Sequence, residues 1–434
     1  MPPDLRGYLR LLEERGALRS FEASVEPRFE ISAYFCVNGA GPALKFARVA
    51  GSEMSVVGNL LCSRERIALG LGTSTAELQQ RIVGAIDSPV APSETGEAPC
   101  QEVVEERPDL ARLPIPTFFE HETGPYITAG IIAARDLETG RANLSYARLK
   151  PLGGNRAFIG IAPEHHLAVM ARRAGSLPIA VTLGNAPAVS VAAALYLDYG
   201  EDELHVAGAL SGAGIEVAKC VASEVRVPAH CEMVLEGILI IGERIEEGPV
   251  SEYHGMYERY GAGYVVEFSH LTRRRDAMLQ VIQPGYSPEH VWIGGEAIAA
   301  SLARRLRHSG VSAVAVTPGG AGRLHAVLAA GGDARAAMFA AWSAVKLIKH
   351  VTVVDEDVDP WDSLQVELAV ATRMRAERDV VLVPAAPTSR SDPLARHAMV
   401  DKLGIDATRK SADRDWTEAQ PPAAVMERVR RQFT

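Results

Sequence analysis

At Pro284-Gly285 the hydrophobic rhythm of the chain changes, and no other feature restricts its folding more. Beyond that point helical and strand-like apolar patterns alternate. The spacing predicts helices over 296–307, 334–345 and 361–372 and strands over 311–316, 350–354 and 379–383. Alternation of this kind implies a parallel sheet with helices packed on it. The tail from Ala385 is polar and Pro-rich and reads as loosely packed or used in oligomer contacts.

Upstream the texture is different. Residues 126–134, 142–151 and 157–162 read as short, Gly-punctuated strands, and 215–282 as mainly extended, with strands over 216–221, 232–241, 263–272 and 277–283. Between them, Pro163 suits the first turn of a helix running to about Ala174, 177–183 reads as a buried strand, and Ala-rich helices fall over 189–197 and 201–210. At the amino end Leu5, Tyr8, Leu9 and Leu12 mark one face of a helix that Gly16 stops. Apolar segments follow at 43–49 and 55–61, and Ser74 with Glu77 forms a capping box opening a helix to about Ile86. Residues 87–125 are Pro- and acid-rich and read as a long wrapping connection. The chain therefore divides at 1–125, 126–284 and 285–434, in the mixed α/β (α+β) class.

Composition removes several function classes. The 434 residues suffice for two or three domains with a large core. With 45 Lys+Arg against 54 Asp+Glu, the formal charge is −9, which argues against a nucleic-acid-binding face. No apolar run approaches the roughly 20 residues that span a bilayer, and the first residues lack a signal-peptide core. A cytoplasmic protein is expected. Five cysteines, an odd number without a CxxC pair, exclude a disulfide scaffold and a zinc ribbon and read as buried free thiols.

Familiar signatures fail. Gly70-Leu-Gly72, Gly212-Ala-Gly214 and Gly319-Gly320-Ala-Gly322 complete neither GxGxxG nor a P-loop. HExxH, GxSxG and an EF-hand loop are absent. The pair His165-His166 is by itself a weak metal signal. Asp355, Glu356, Asp357 and Asp359 could bind a hard cation but read better as a solvated loop.

Four segments together rise above this background: Asn143-Leu-Ser-Tyr-Ala-Arg148; Pro163-Glu-His165; Asp202-Glu203-Leu-His-Val-Ala-Gly-Ala-Leu210; and Glu232-Met-Val-Leu-Glu236-Gly237 followed by Glu247-Gly-Pro-Val-Ser-Glu252-Tyr-His-Gly255. If 143–148 is one strand, Asn143 and Arg148 face opposite sides. Taken singly, Arg148, Glu203, Glu247 and Glu252 are ordinary charged residues; what distinguishes them is their occurrence in order. Glu232 and Glu236 read as structural acids outside the site.

This set resembles the UbiD family of prenylated-flavin-dependent decarboxylases, from the amino-terminal Asp4-Leu-Arg-Gly-Tyr-Leu9 through Pro284-Gly-Tyr-Ser-Pro-Glu-His290 to Val354-Asp-Glu-Asp-Val-Asp-Pro360. The resemblance implies an N-terminal α/β region, a central split β-barrel that binds the flavin, and a C-terminal α/β oligomerisation domain. It implies reversible non-oxidative decarboxylation of an aromatic, heteroaromatic or α,β-unsaturated acid through a covalent adduct with prenylated FMN (prFMN). Arg148, Glu247 and Glu252 become the catalytic set, with Glu252 as proton donor. Asn143, His165 and Glu203 become ligands of Mn2+ (or Mg2+), which bridges to the flavin phosphate. K+ sits nearby on backbone carbonyls near 193–195. Tyr146, Ala147 and Arg148 line the flavin, and Glu164 belongs to the same cofactor site. Lys346 or Lys349 reaches the phosphate.

The residue types suit that chemistry. An acid, an amide and an imidazole form a hard, mixed ligand set. No side chain is an electron sink, so decarboxylation needs a cofactor. The expected partners are a carboxylic acid substrate, CO2 and a flavin prenyltransferase, without nucleic acid or membrane. The expected assembly is a homodimer, with a hexamer as the alternative. The competing reading is a flavin-binding, non-catalytic subunit that supports a partner enzyme.

Overall fold

The computed structural model describes residues 2–410, 416 and 419–433. Helix Leu5–Glu14 buries Leu5, Tyr8, Leu9 and Leu12, the four positions its spacing predicts, and Asp4 caps it by accepting from Gly7 N at 2.7 Å. It leads into a four-stranded sheet ordered Leu18–Val25, Ala43–Val49, Ser55–Gly58 and Met278–Val281. The sequence pattern does not reveal strand Leu18–Val25 because it buries only Val25, so no alternation shows. Helix Glu30–Asn38 was likewise not expected. Ser74 and Glu77 do form reciprocal bonds at the entrance to helix Leu78–Asp87.

The central sheet runs in the order Ala142–Tyr146, Ile131–Arg135, Ser176–Leu183, Met233–Glu246, Ala262–Arg273, Arg156–Gly160 and Arg148–Gly153. Val103–Glu106, inside the wrapping connection, pairs with Ala262–Arg273. The two edge strands of this path are consecutive in sequence, separated by Ala147 alone. Ile127 and Leu149 exchange backbone hydrogen bonds of 2.9 and 3.1 Å. One bent segment thus pairs at both ends of the path and curls the sheet round on itself. The helix expected from Pro163 begins instead at His166, because His165 serves as its N-cap.

Helix Pro288–Leu306 leads into the last sheet, ordered Val311–Val316, His325–Ala330, His350–Val354, Met399–Ala407 and Val380–Pro387. The expectation of a parallel sheet holds only for its centre. His325–Ala330 with His350–Val354, and His350–Val354 with Met399–Ala407, are parallel; both outer pairings are antiparallel. The connections 317–324 and 388–398 contain no crossover helix, so each returns its strand antiparallel. The tail is also corrected: Met399–Ala407 is an inner strand, not loose packing. Four cysteines are buried and free; Cys36, expected buried, is exposed. Among the described residues no helix is long and apolar enough to cross a membrane.

Candidate active site

The bent segment 142–153, the start of helix Glu203–Ser211 and helix Pro288–Leu306 enclose a cavity of about 610 Å³. Asn143, Tyr146, Ala147, Arg148, Glu164, His165, Glu203 and Glu252 all line it. Glu247 does not; it lies behind Arg148, bound to it. Asn143 and Arg148 do not serve opposite sides, as alternation along one strand would require. The strand is interrupted at Ala147, the alternation restarts there, and both side chains reach the same cavity.

At one region of the wall, Glu203 is the first residue of its helix, capped by Asp202, which accepts from Leu204 N at 2.8 Å. Its carboxylate accepts from Leu144 N at 2.9 Å and pairs with no cationic side chain among the described residues. Burial pushes its pKa up to about 8. Burial also pushes His165 down to about 4, so the imidazole is neutral; its Nδ1 receives only a long 3.3 Å bond from Leu167 N. Asn143 donates through Nδ2 to Ser145 Oγ at 3.2 Å, which leaves its carbonyl oxygen available. A buried carboxylate without a cation, a neutral imidazole and an amide oxygen fit a divalent cation. Ala193, Ala194 and Leu195, at the end of helix Pro187–Ala192, line the cavity as well. Lys346 reaches Glu164 at 3.5 Å, whereas Lys349 is held by the buried Asp392 at 3.3 Å.

Elsewhere on the wall, Arg148 meets Glu247 through Nε to Oε1 at 2.6 Å and Nη2 to Oε2 at 2.7 Å. Gly248 (φ +86°) turns the chain after Glu247 in a conformation that L side chains rarely adopt. Glu252 Oε2 accepts from Tyr260 OH at 2.5 Å and Oε1 from Tyr253 N at 2.9 Å. Burial pushes Glu252 up, but the Arg148 charge and these hydrogen bonds outweigh it and hold the carboxyl below its ordinary value. A proton donor needs its proton held by low polarity or a nearby negative charge; here burial acts that way and the neighbours of Glu252 counter it.

Three supporting residues escaped the sequence reading. Lys150 Nζ donates to the Glu247 carbonyl and, at 2.9 Å, to Thr123 Oγ1. Its i, i+2 spacing from Arg148 was the available signal. Tyr260 has no local motif. Glu122, from the wrapping connection, accepts from Ser251 Oγ at 2.8 Å and from the backbone of Phe118 and Phe119, and so ties that connection to the residue before Glu252. Glu232 and Glu236 stay outside the cavity: Glu232 pairs with Arg6, and Glu236 accepts from Val221 N and Ala222 N. In the acidic loop, the Arg373 side chain donates to Asp355 and Asp357, and Arg409 donates to Asp355 through its backbone N and to Asp357 through Nη2, so these carboxylates already have cationic partners.

Three family descriptions match the chain in order: the UbiD 3-octaprenyl-4-hydroxybenzoate carboxy-lyase N-terminal domain over residues 9–86, its Rift-related domain over 92–287 and its C-terminal domain over 291–407. The chain is 34% identical over 420 residues to an anhydromevalonate phosphate decarboxylase of Methanosarcina mazei, covering 93% of this chain and 96% of that one. Among solved structures it resembles the UbiD-class enzyme HmfF from Pelotomaculum thermopropionicum in complex with FMN, with TM-score 0.92, 37% identity and 98% of each chain covered. An evolved dimeric form of that enzyme, in complex with prFMN, gives TM-score 0.89 at 35% identity over 98% of each chain. The 3,4-dihydroxybenzoic acid decarboxylase AroY of Klebsiella pneumoniae gives TM-score 0.88 at 26% identity over 97% of each chain.

Proposed function

This chain belongs to the UbiD family and is a flavin-dependent carboxy-lyase, and from that premise we propose how its own residues divide the work. The carrying observation is the two-point Arg148–Glu247 pair beside Glu252, on the wall of the cavity that also holds Asn143, His165 and Glu203. Bound prenylated FMN supplies the electron sink for the pair left behind by departing CO2.

Glu247 occupies the Nε–Nη2 edge of Arg148, which leaves Nη1 and the outer N–H of Nη2 for the substrate carboxylate. Substrate binding at that edge places a second negative charge on Arg148. Arg148 then stabilises ionised Glu252 less, and the Glu252 pKa rises from its depressed value. Glu252 is therefore able to take up the proton that it gives to the carbon CO2 has left. Tyr260 OH holds Oε2 in place for that transfer. Run backwards, the same groups remove the proton and receive CO2.

Asn143, His165 and Glu203 would hold Mn2+ or Mg2+ and the carbonyls around 193–195 would hold K+, cations that would offset the negative charge of the flavin phosphate. Lys346 is the better of the two lysines for the phosphate, because its partner Glu164 lines the cavity, whereas Lys349 is held by the buried Asp392. Tyr146, Ala147 and Glu164 complete the cofactor wall. The substrate is an aromatic, heteroaromatic or α,β-unsaturated acid. A phosphate-bearing unsaturated acid of the anhydromevalonate phosphate type is the first to test, after the curated relative's name. The protein is a cytoplasmic homodimer and receives its cofactor from a flavin prenyltransferase.

The deciding experiment is the mass of the flavin released from protein purified anaerobically after co-expression with a prenyltransferase, followed by CO2 release from a panel of acids. A prenylated flavin mass with CO2 release supports this reading. Prenylated flavin without CO2 release from any acid favours the non-catalytic subunit.

A further inference from the structure

We propose that Arg323 forms a second anion-binding subsite in the cavity, so that the acid taken here carries a second anionic group besides the carboxylate it loses; this rests on the decarboxylase reading above. The cavity is lined by three arginines. Arg148 is paired with Glu247 and Arg305 with Asp198 at 2.7 Å. Arg323 has no carboxylate partner among the described residues. Its Nη1 donates to the Gly322 carbonyl at 3.1 Å, and its Nε–Nη2 edge is uncommitted. That edge is the planar fork that receives a carboxylate or phosphate at two points.

The guanidinium is held ready. It lies in a slot that exists because residue 294 is glycine: a Cβ there would stand 1.6 Å from Nη1. Its carbon sits 5.6 Å from the centre of the Tyr253 ring, a favourable place for a cation. His290 is fixed through Nδ1 to the Gly285 carbonyl at 3.0 Å; burial first, and the Arg323 charge second, push it down to about 4 against the opposing pull of Glu252, so the ring is neutral. A neutral ring in that position adds no second positive charge to compete with Arg323 for an anion. An unpaired arginine inside a cavity is costly unless a ligand completes it, and a second anion on the substrate does so.

The test uses holoenzyme and two matched pairs of acids: muconate with sorbate, which differ by a second carboxylate, and the phosphate-bearing acid named above with its dephosphorylated form. Dissociation constants are read by calorimetry and turnover by CO2 release. The doubly anionic member of at least one pair is expected to bind about tenfold tighter or more, and Arg323→Met is expected to remove that preference. The pair that shows it tells a carboxylate from a phosphate. If Arg323→Met folds poorly, Gly294→Ala, which pushes the guanidinium out of its slot, carries the same comparison. An unchanged preference in the variant, or no preference in the wild type, overturns the subsite. Loss of flavin from Arg323→Met also overturns it and assigns the arginine to the cofactor. Preferential binding without CO2 release from any acid leaves the subsite standing and removes the decarboxylase reading instead.

Discussion

Arg148 and Glu247 are joined edge to edge, with Nε–Oε1 at 2.6 Å and Nη2–Oε2 at 2.7 Å, and Glu247 is 1% exposed. The acid is thus withheld from substrate, and its effect passes through the arginine. Glu247→Gln keeps the shape but removes the charge that aims the guanidinium. A fall in kcat of about 100-fold, with the flavin absorbance retained, is the expected result. Steady-state kinetics on reconstituted enzyme will check it.

Glu252 faces the cavity directly. With Glu252 as the proposed proton donor, Glu252→Gln should lower kcat by about a thousandfold or more while the cofactor stays bound. Wild-type turnover in that variant would remove Glu252 from the donor role.

Tyr260 donates to Glu252 and, with Arg148, helps keep the carboxyl ionised. Removing that bond in Tyr260→Phe raises the Glu252 pKa. The proposed donor is active when protonated, so the alkaline limb of the kcat/KM profile should move to higher pH. A pH–rate series on both enzymes measures it.

Glu203 is buried without a cationic side-chain partner among the described residues. Glu203→Gln should lower manganese affinity by about tenfold or more and speed flavin loss on dilution. Metal analysis and flavin fluorescence after gel filtration give both values; unchanged metal content would count against the ligand set.

Away from the site, His325 and His350 stack with ring centres 4.0 Å apart and planes 12° from parallel. Burial first, and the neighbouring His350 second, push His325 down to about 3; burial lowers His350 too. Both rings are neutral in the folded chain, whereas the unfolded chain binds protons below about 6.5. Stability is therefore whole above that pH and is lost as pH falls towards the folded values. Melting curves between about pH 7.5 and about pH 5 should show a smaller fall for His325→Gln than for wild type, by about 3 °C.

Much of the fold is legible because periodicity reports burial. Leu5, Tyr8, Leu9 and Leu12 show it, as does strand His350–Val354, whose bounds the pattern gives to the residue. Leu18–Val25 is silent for the converse reason, since one buried residue leaves no rhythm. Met399–Ala407 hides in a tail whose Pro and polar content mimic a loop. The resemblance named candidate site residues in order along the chain, and all but Glu247, Lys346 and Lys349 line one cavity. Tyr260, Lys150, Glu122 and Arg323 were not readable, because each acts through a partner at least eight residues away: Tyr260 through Glu252, Lys150 through Glu247, Glu122 through Ser251 and Arg323 over Gly294.

The sequence by itself determined the succession of elements and the inventory of chemical groups, because local spacing governs which face a residue buries and which ends are capped. Which groups share a cavity was decided only by the tertiary structure. Local alternation sends Asn143 and Arg148 apart; the break at Ala147, imposed where one segment must pair at both ends of a curled sheet, brings them to the same cavity. That outcome depends on hydrogen bonding between strands distant in sequence, which no local pattern encodes.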